Sequence, residues 1–338
     1  MRTDTETPWV ATSADELLAD ATELVEIFPD DGKSGSRFHR AVIDGDRYFV
    51  KALSRSSDWI SRVVGDTDLW PFRVWEHGIM HAVPPEIDHA TVGMAVDGTG
   101  DDAVLTLLLH DIGPCLVPEG DAVVPTAHHA DFVDALAALT ATTWGWRDTV
   151  GLCSLEQRFR FFAPATIAPE LARSWPDGIP GPITAADEGW RRLAERQPEL
   201  HRVATAIHDD PEPLASALRA TPACFLHGDW KMGNLGHHPD GRTILLDWAY
   251  PGEGPPCWDL AWYASLNSAR LPESKEATFD RFRTALEGRG VETAAWFGDQ
   301  LSLCLLADMA AFGWEKALGA DGELQWWADA ARAGARLL

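Results

Sequence analysis

No apolar run in the 338-residue chain is long enough to cross a bilayer, and the longest clear one, residues 103–109, falls far short of the ~20 residues a membrane helix needs. Met1 to Thr7 likewise lead into no apolar core of a signal peptide. Cysteine is scarce. Cys115, Cys153, Cys224, Cys257 and Cys304 form an odd set, widely spaced and without a Cys-x-x-Cys, which argues against a disulfide framework or a zinc site and predicts a reducing, cytoplasmic setting. Positive charge is also scarce: 28 Lys and Arg stand against 52 Asp and Glu, a formal charge of -24, so neither a nucleic-acid partner nor a membrane partner is expected. The acidity runs through the whole chain rather than sitting in a tail. No repeat and no low-complexity tract is present, which removes solenoids and propellers.

What is present is the material of a folded core. Hydrophobic residues make up 46% and charged residues 24%, enough at this length to fill two lobes. The 16 tryptophans are read mainly as packing residues, with a few left to line a binding cleft.

Patterning places strands first and helices later. A helix is expected over 14–21, then strands over 24–28, 38–43 and 47–53, the last two joined by Asp44-Gly45-Asp46, a hairpin turn signal. Residues 30–36 read as a turn. A helix is expected over 70–81, stopped by Pro84-Pro85, and a buried strand over 103–109. Helical spacing then dominates, at 129–143, 299–316 and 324–337. The order predicts an α+β protein with a β-rich lobe over 1–108 and a mainly helical lobe over 109–338.

The chemistry is concentrated between His227 and Tyr263. Asp229 follows the apolar run Cys224-Phe225-Leu226, Asn234 comes five residues later, and Asp247 ends Ile244-Leu245-Leu246. Each short apolar strand thus terminates in an oxygen-bearing side chain where a packing residue would be expected. The amide oxygen of Asn234 and the carboxylate of Asp247 are hard donors that suit Mg²⁺ shared with phosphate and water.

These motifs, His227-Gly228-Asp229 with Asn234, Leu246-Asp247-Trp248 and Asp259-Leu260-Ala261-Trp262, resemble those of the aminoglycoside phosphotransferase and choline kinase-like superfamily. The resemblance implies a bilobal protein-kinase-like fold and transfer of the γ-phosphoryl group of Mg·ATP to a hydroxyl acceptor. It makes Asp229 the catalytic base, Asn234 and Asp247 the magnesium ligands, His227 a brace for the loop and Asp259 a structural anchor, by hydrogen bonding, for the segment after the metal site. It further implies that Lys51, in Tyr48-Phe49-Val50-Lys51, reaches the α- and β-phosphates. Gly32, Ser34, Gly35 and Ser36 would cover the phosphates, and the backbone around Leu108 and His110 would meet adenine. The resemblance runs from about residue 24 to 263 and is dense only from 227 to 263.

Two departures stand out. Lys231 takes a position where many members carry histidine; Asp-x-Lys is closer to Ser/Thr protein kinases and would let Lys231 steady the transferring phosphoryl group. The acid partner of Lys51 is open among Glu76, Asp66 and Asp68.

Several motifs weigh less. Gly32-Lys33-Ser34 is no Walker A loop, since Ile27 stands where its first glycine belongs. His77 and His81 lack the glutamate of a metalloprotease helix. The His128-His129 and His237-His238 pairs read as solvated. Trp262, Tyr263, Asp308, Trp314, Glu315, Trp326 and Trp327 would suit a cationic acceptor, although core packing accounts for each one singly. The expected enzyme is therefore an ATP-dependent, magnesium-using kinase of a small amine-bearing alcohol. Its rivals are a protein Ser/Thr kinase-like enzyme and a nucleotide-binding regulatory pseudokinase.

Overall fold

The computed structural model describes residues 8–28, 35–176 and 178–338. Up to Gly120 the elements are β1 (Val10–Ala11), α1 (Ala14–Leu17), β2 (Ala21–Ile27), β3 (Arg37–Ile43), β4 (Asp46–Ser54), α2 (Trp59–Val64), α3 (Trp70–Glu76), β5 (Ile87–Asp88), β6 (Thr91–Asp97) and β7 (Val104–His110). Helices α4 (Thr126–Thr142), α5 (Leu155–Phe159), α6 (Pro164–Leu171), α7 (Gly181–Arg196), α8 (Pro198–Asp209) and α9 (Glu212–Arg219) follow. Four short strands come next: β8 (Cys224–Leu226), β9 (Leu235–His237), β10 (Thr243–Leu245) and β11 (Gly252–Gly254). The last stretch carries α10 (Cys257–Leu266), α11 (Lys275–Gly288), α12 (Phe297–Leu318) and α13 (Asp321–Ala335).

Two compact units share the chain. One comprises Met1–Gly120 together with Met232–Pro251, the other Asp121–Lys231 together with Gly252–Leu338. The sequence expectation drew a single boundary at residue 108; in the structure the chain leaves the first unit twelve residues later, at Gly120, and returns to it at Met232.

In the first unit the main sheet runs β1-β6-β7-β4-β3-β2. Strands β2, β3 and β4 form an antiparallel meander, and the β3–β4 turn places both Asp44 (φ 53°) and Gly45 (φ 88°) in left-handed backbone, the geometry a two-residue hairpin favours. Its core gathers Ala11, Leu17, Ala41, Val50, Ala95 and Leu108. A second sheet, β5-β10-β9, is built from distant chain: Thr243 pairs with Ile87, and Leu245 with Leu235. Gly236 is needed there, because a Cβ would lie 2.7 Å from the Cys115 carbonyl oxygen.

Some expected elements change length. The helix of 14–21 ends at Leu17, since residues from Ala21 onward gain a full ladder with β3. The helix of 70–81 ends at Glu76, where Gly78 turns left-handed (φ 70°) and a separate 3₁₀ turn follows at Met80–Ala82.

The second unit is helical apart from β8 and β11, which pair antiparallel. Helix α12 is buried on almost every side, from Leu303 through Trp314, as a helix apolar all round must be, and packs against α7, α10 and α13. Among the described residues no helix is long and apolar enough to cross a membrane. None of the five cysteines is in a disulfide.

Candidate active site

The first unit carries Lys51 within β4, and Asn234 and Asp247 beside the ends of β9 and β10. Lys51 lies on β4, opposite Leu107 of β7, and its Nζ donates to Asp247 Oδ1 at 2.9 Å. Asn234 immediately precedes β9, and its carbonyl oxygen accepts the N–H of Leu246 at 2.9 Å. Antiparallel pairing of β9 and β10 therefore sets Asn234 and Asp247 at neighbouring strand ends. Asp247 is one of five described non-glycine residues in left-handed backbone (φ 58°), a conformation that costs energy and recurs where geometry serves a site.

The three acids considered for Lys51 engage other groups. Glu76 lies 3.7 Å from Arg73 on its own helix. Asp66 accepts the N–H groups of Asp68 and Trp70, and Asp68 takes the Thr67 hydroxyl. The sequence reading missed Asp58. Its Oδ1 caps α2 by accepting from Ile60 at 2.8 Å and Ser61 at 3.2 Å, the ordinary work of an N-cap aspartate. Burial pushes its carboxyl up to about 6, the charge of Lys51 pulls it down and that of Asp247 pushes it up. It therefore shares the electrostatic surroundings of both.

The nucleotide contacts expected elsewhere fare differently. Gly32 and Ser34 lie outside the described residues. Gly35 has φ 89°, and a Cβ there would stand 2.5 Å from the Ser57 carbonyl oxygen, so its glycine answers a local backbone need. Ser36 leads directly into β3. Leu108 is buried in the sheet core, and the N–H of His110 is donated to Ala90 and that of Asp111 to Arg47, because β7 is an inner strand paired on both edges.

In the second unit the segment after β8 carries Asp229 and Lys231. Asp229 is 1% exposed. Its Oδ2 accepts from Lys231 Nζ at 2.7 Å and its Oδ1 from the indole N–H of Trp262 at 2.9 Å. The backbone of this loop is clamped by Asp259, whose two carboxylate oxygens accept the N–H groups of His227 and Gly228, each at 2.9 Å. The role is structural, but at this loop and not at the segment after the metal site. Burial lifts the Asp259 carboxyl to about 6, while Arg158 and the two N–H groups pull the other way. His227 is fully buried and its Nδ1 accepts the N–H of Asp229 at 3.2 Å.

Trp262 went unassigned in the sequence; its signal, an indole three residues after Asp259 on one helix, becomes visible only once both face the same loop. His129, expected in solvent, is buried. Its Nδ1 pairs with the Tyr263 hydroxyl at 2.9 Å and its Nε2 with Glu273 at 3.0 Å. Among the described residues no three His, Cys, Asp or Glu side chains gather as a metal centre.

The family model of the phosphotransferase enzyme family, APH, matches residues 109–297. No curated protein matches the sequence. Among solved structures, LicA in complex with AMP shares 12% identity at a TM-score of 0.52, covering 94% of this chain and 93% of that one. The choline kinase LicA from Streptococcus pneumoniae gives 12% identity and a TM-score of 0.49, covering 94% and 96%. The spectinomycin phosphotransferase APH(9)-Ia, with ADP and spectinomycin, gives 14% and 0.47, covering 95% and 92%. The LicA–AMP likeness shows the kinase-like fold, with a sheet-rich N-terminal part and a mostly helical remainder.

Proposed function

The chain belongs to the phosphotransferase enzyme family, and from that premise we propose that it moves the γ-phosphoryl group of ATP to a hydroxyl of a small, amine-bearing molecule such as an aminoglycoside, amino sugar or amino alcohol. The observation that carries this reading is the buried Asp229 carboxylate, held by Lys231 and Trp262 on a loop clamped by Asp259. Asp229 accepts the proton of the acceptor hydroxyl. Lys231, whose side chain is 36% exposed, extends to the transferring phosphoryl oxygens. Lys51 exchanges Asp247 for the α- and β-phosphates.

Asn234 and Asp247 fit magnesium, being hard oxygen donors at adjacent strand ends, with two protein ligands leaving room for phosphate and water. When bound, the ion would neutralise charge on the phosphate oxygens. A net charge of -24 favours encounter with a cationic acceptor. Five cysteines, none in a disulfide, support a reducing, cytoplasmic setting.

The test is transfer of labelled γ-phosphate from Mg·ATP to a panel of aminoglycosides, amino sugars and amino alcohols, with Asp229→Ala run in parallel. Label on one acceptor, lost in the variant, is the expected result. Magnesium-dependent ATP binding with no transfer to any acceptor would favour the pseudokinase reading, and label on protein the protein-kinase reading.

A further inference from the structure

We propose that Trp262 is a positioning residue for phosphoryl transfer, its indole N–H fixing the plane of the Asp229 carboxylate; this rests on the kinase reading above. A carboxylate at the end of a loop residue has a broad terminal torsion, so the direction of its lone pairs is set by whatever its oxygens bond. Here the two oxygens meet donors of different kinds. Lys231 approaches Oδ2 on a flexible stem that is partly in solvent. Trp262 approaches Oδ1 from the interior, with 3% of its surface exposed.

The indole is held on several sides. Its ring stands edge-on to Phe312 (centroids 4.7 Å, 88°) and to Phe161 (5.7 Å, 78°), and tilted on Trp258 (5.9 Å, 35°). These rings come from α12, from the segment after α5, and from α10 itself, so the N–H direction follows from the packing of the helical unit. An indole nitrogen only donates, which excludes Trp262 from taking the proton itself and leaves it the task of orienting the group that does.

Helix α10 supplies both supports of the catalytic loop. Asp259 and Trp262 stand at i and i+3, one face of one turn. The first holds the backbone at His227 and Gly228, the second the side chain at Asp229. Displacing α10 would disturb both at once, whereas loss of the indole N–H alone leaves the loop in place and frees the carboxylate to rotate. The rate should then fall with little change in nucleotide affinity, because misorientation of a reacting group by a fraction of an ångström is costly to the chemical step.

The experiment replaces the N–H without replacing the ring. The full-length protein is prepared with 3-benzothienylalanine at position 262, which puts sulfur where the indole nitrogen was, beside Trp262→Phe and Asp229→Asn. Turnover of Mg·ATP is followed with the acceptor that takes label in the panel, or with water where none does. The benzothienyl protein is expected to keep its thermal midpoint and a KM for ATP within about twofold, to lose about tenfold to a hundredfold in kcat, and to show the acid limb of its kcat profile moved to higher pH, since the lost donor favoured the ionised form. Wild-type kcat and pH profile in that protein, with Asp229→Asn inactive, overturn the positioning role and leave the kinase reading intact. A kcat loss that comes with a lowered midpoint and an unmoved pH profile assigns Trp262 to packing and also overturns it. Full activity of Asp229→Asn, or no magnesium-dependent turnover by the wild type with any acceptor, overturns the kinase reading, and the proposal with it.

Discussion

Lys51 Nζ lies 2.9 Å from Asp247 Oδ1, so the cation assigned to phosphate and the anion assigned to magnesium neutralise each other. Both are partly exposed, at 19% and 38% of their side chains, which keeps the pair exchangeable. Magnesium and nucleotide would compete for its two members together. Asp247→Ala should therefore abolish the gain in nucleotide affinity that magnesium brings, while Lys51→Met should weaken a non-hydrolysable ATP analogue about tenfold with or without the ion. Calorimetric titration of both variants, with and without magnesium, reads the two effects separately.

Asp229→Ala should lower transfer by about 10²- to 10⁴-fold, the span of general-base contributions, with nucleotide affinity retained. Single-turnover transfer and analogue binding on the same preparation check this. Equal losses in both would place Asp229 in nucleotide binding.

Asp259→Ala should be costly to the fold itself. It strips the N–H groups of His227 and Gly228 of their acceptor and leaves the buried Arg158 guanidinium without its compensating carboxylate. Removing one member of such a set costs about 3–5 kcal/mol, so a large fall in thermal midpoint is expected in scanning calorimetry, accompanied by loss of transfer. Asp259→Asn, which keeps one acceptor, should fall between.

Asp308 predicts a pH effect of opposite character. It is 1% exposed, and among the described residues neither of its carboxylate oxygens meets a hydrogen-bond donor in good geometry. Burial pushes its carboxyl up to about 7, with Lys316 opposing. Because the folded value lies above the unfolded one, the folded state holds more protons between about pH 4 and pH 7, and stability falls as pH rises through that window. Asp308→Asn removes the loss. At pH 8 its thermal midpoint should exceed that of the wild type, reflecting a gain in stability on the order of 2–4 kcal/mol, and the gap should close as pH is lowered toward 4.

The candidate site was legible where its residues are close in sequence. His227-Gly228-Asp229 follows β8, Asn234 precedes β9 and Asp247 follows β10, all at close range, and the Asp44-Gly45 turn announces its own backbone. What stayed hidden depends on tertiary approach. Strand β6 carries Gly93 in its middle, which breaks the strand signal; the glycine is required because a Cβ would stand 2.6 Å from the Trp9 ring. Asp58 reads locally as a helix cap, and only the fold sets it near Lys51. His129 looked polar beside His128, yet the partners that make its burial tolerable, Tyr263 and Glu273, lie 134 and 144 residues away. The bond from Trp262 to Asp229 likewise spans 33 residues.

Residues Met232–Pro251 belong to the first unit although the chain on both sides of them belongs to the second. During synthesis, Ile87 must wait for Thr243 to be made before its strand has a partner, and Leu116 must wait for Gly236. The leading third of the polypeptide therefore emerges from a ribosome with one of its sheets unfinished, and closes it only once Leu235 to Leu245 have been translated. A fragment cut at Gly120 would carry β5 without the strand that completes it. The first unit is thus completed only after residues 121–231 of the second have been made.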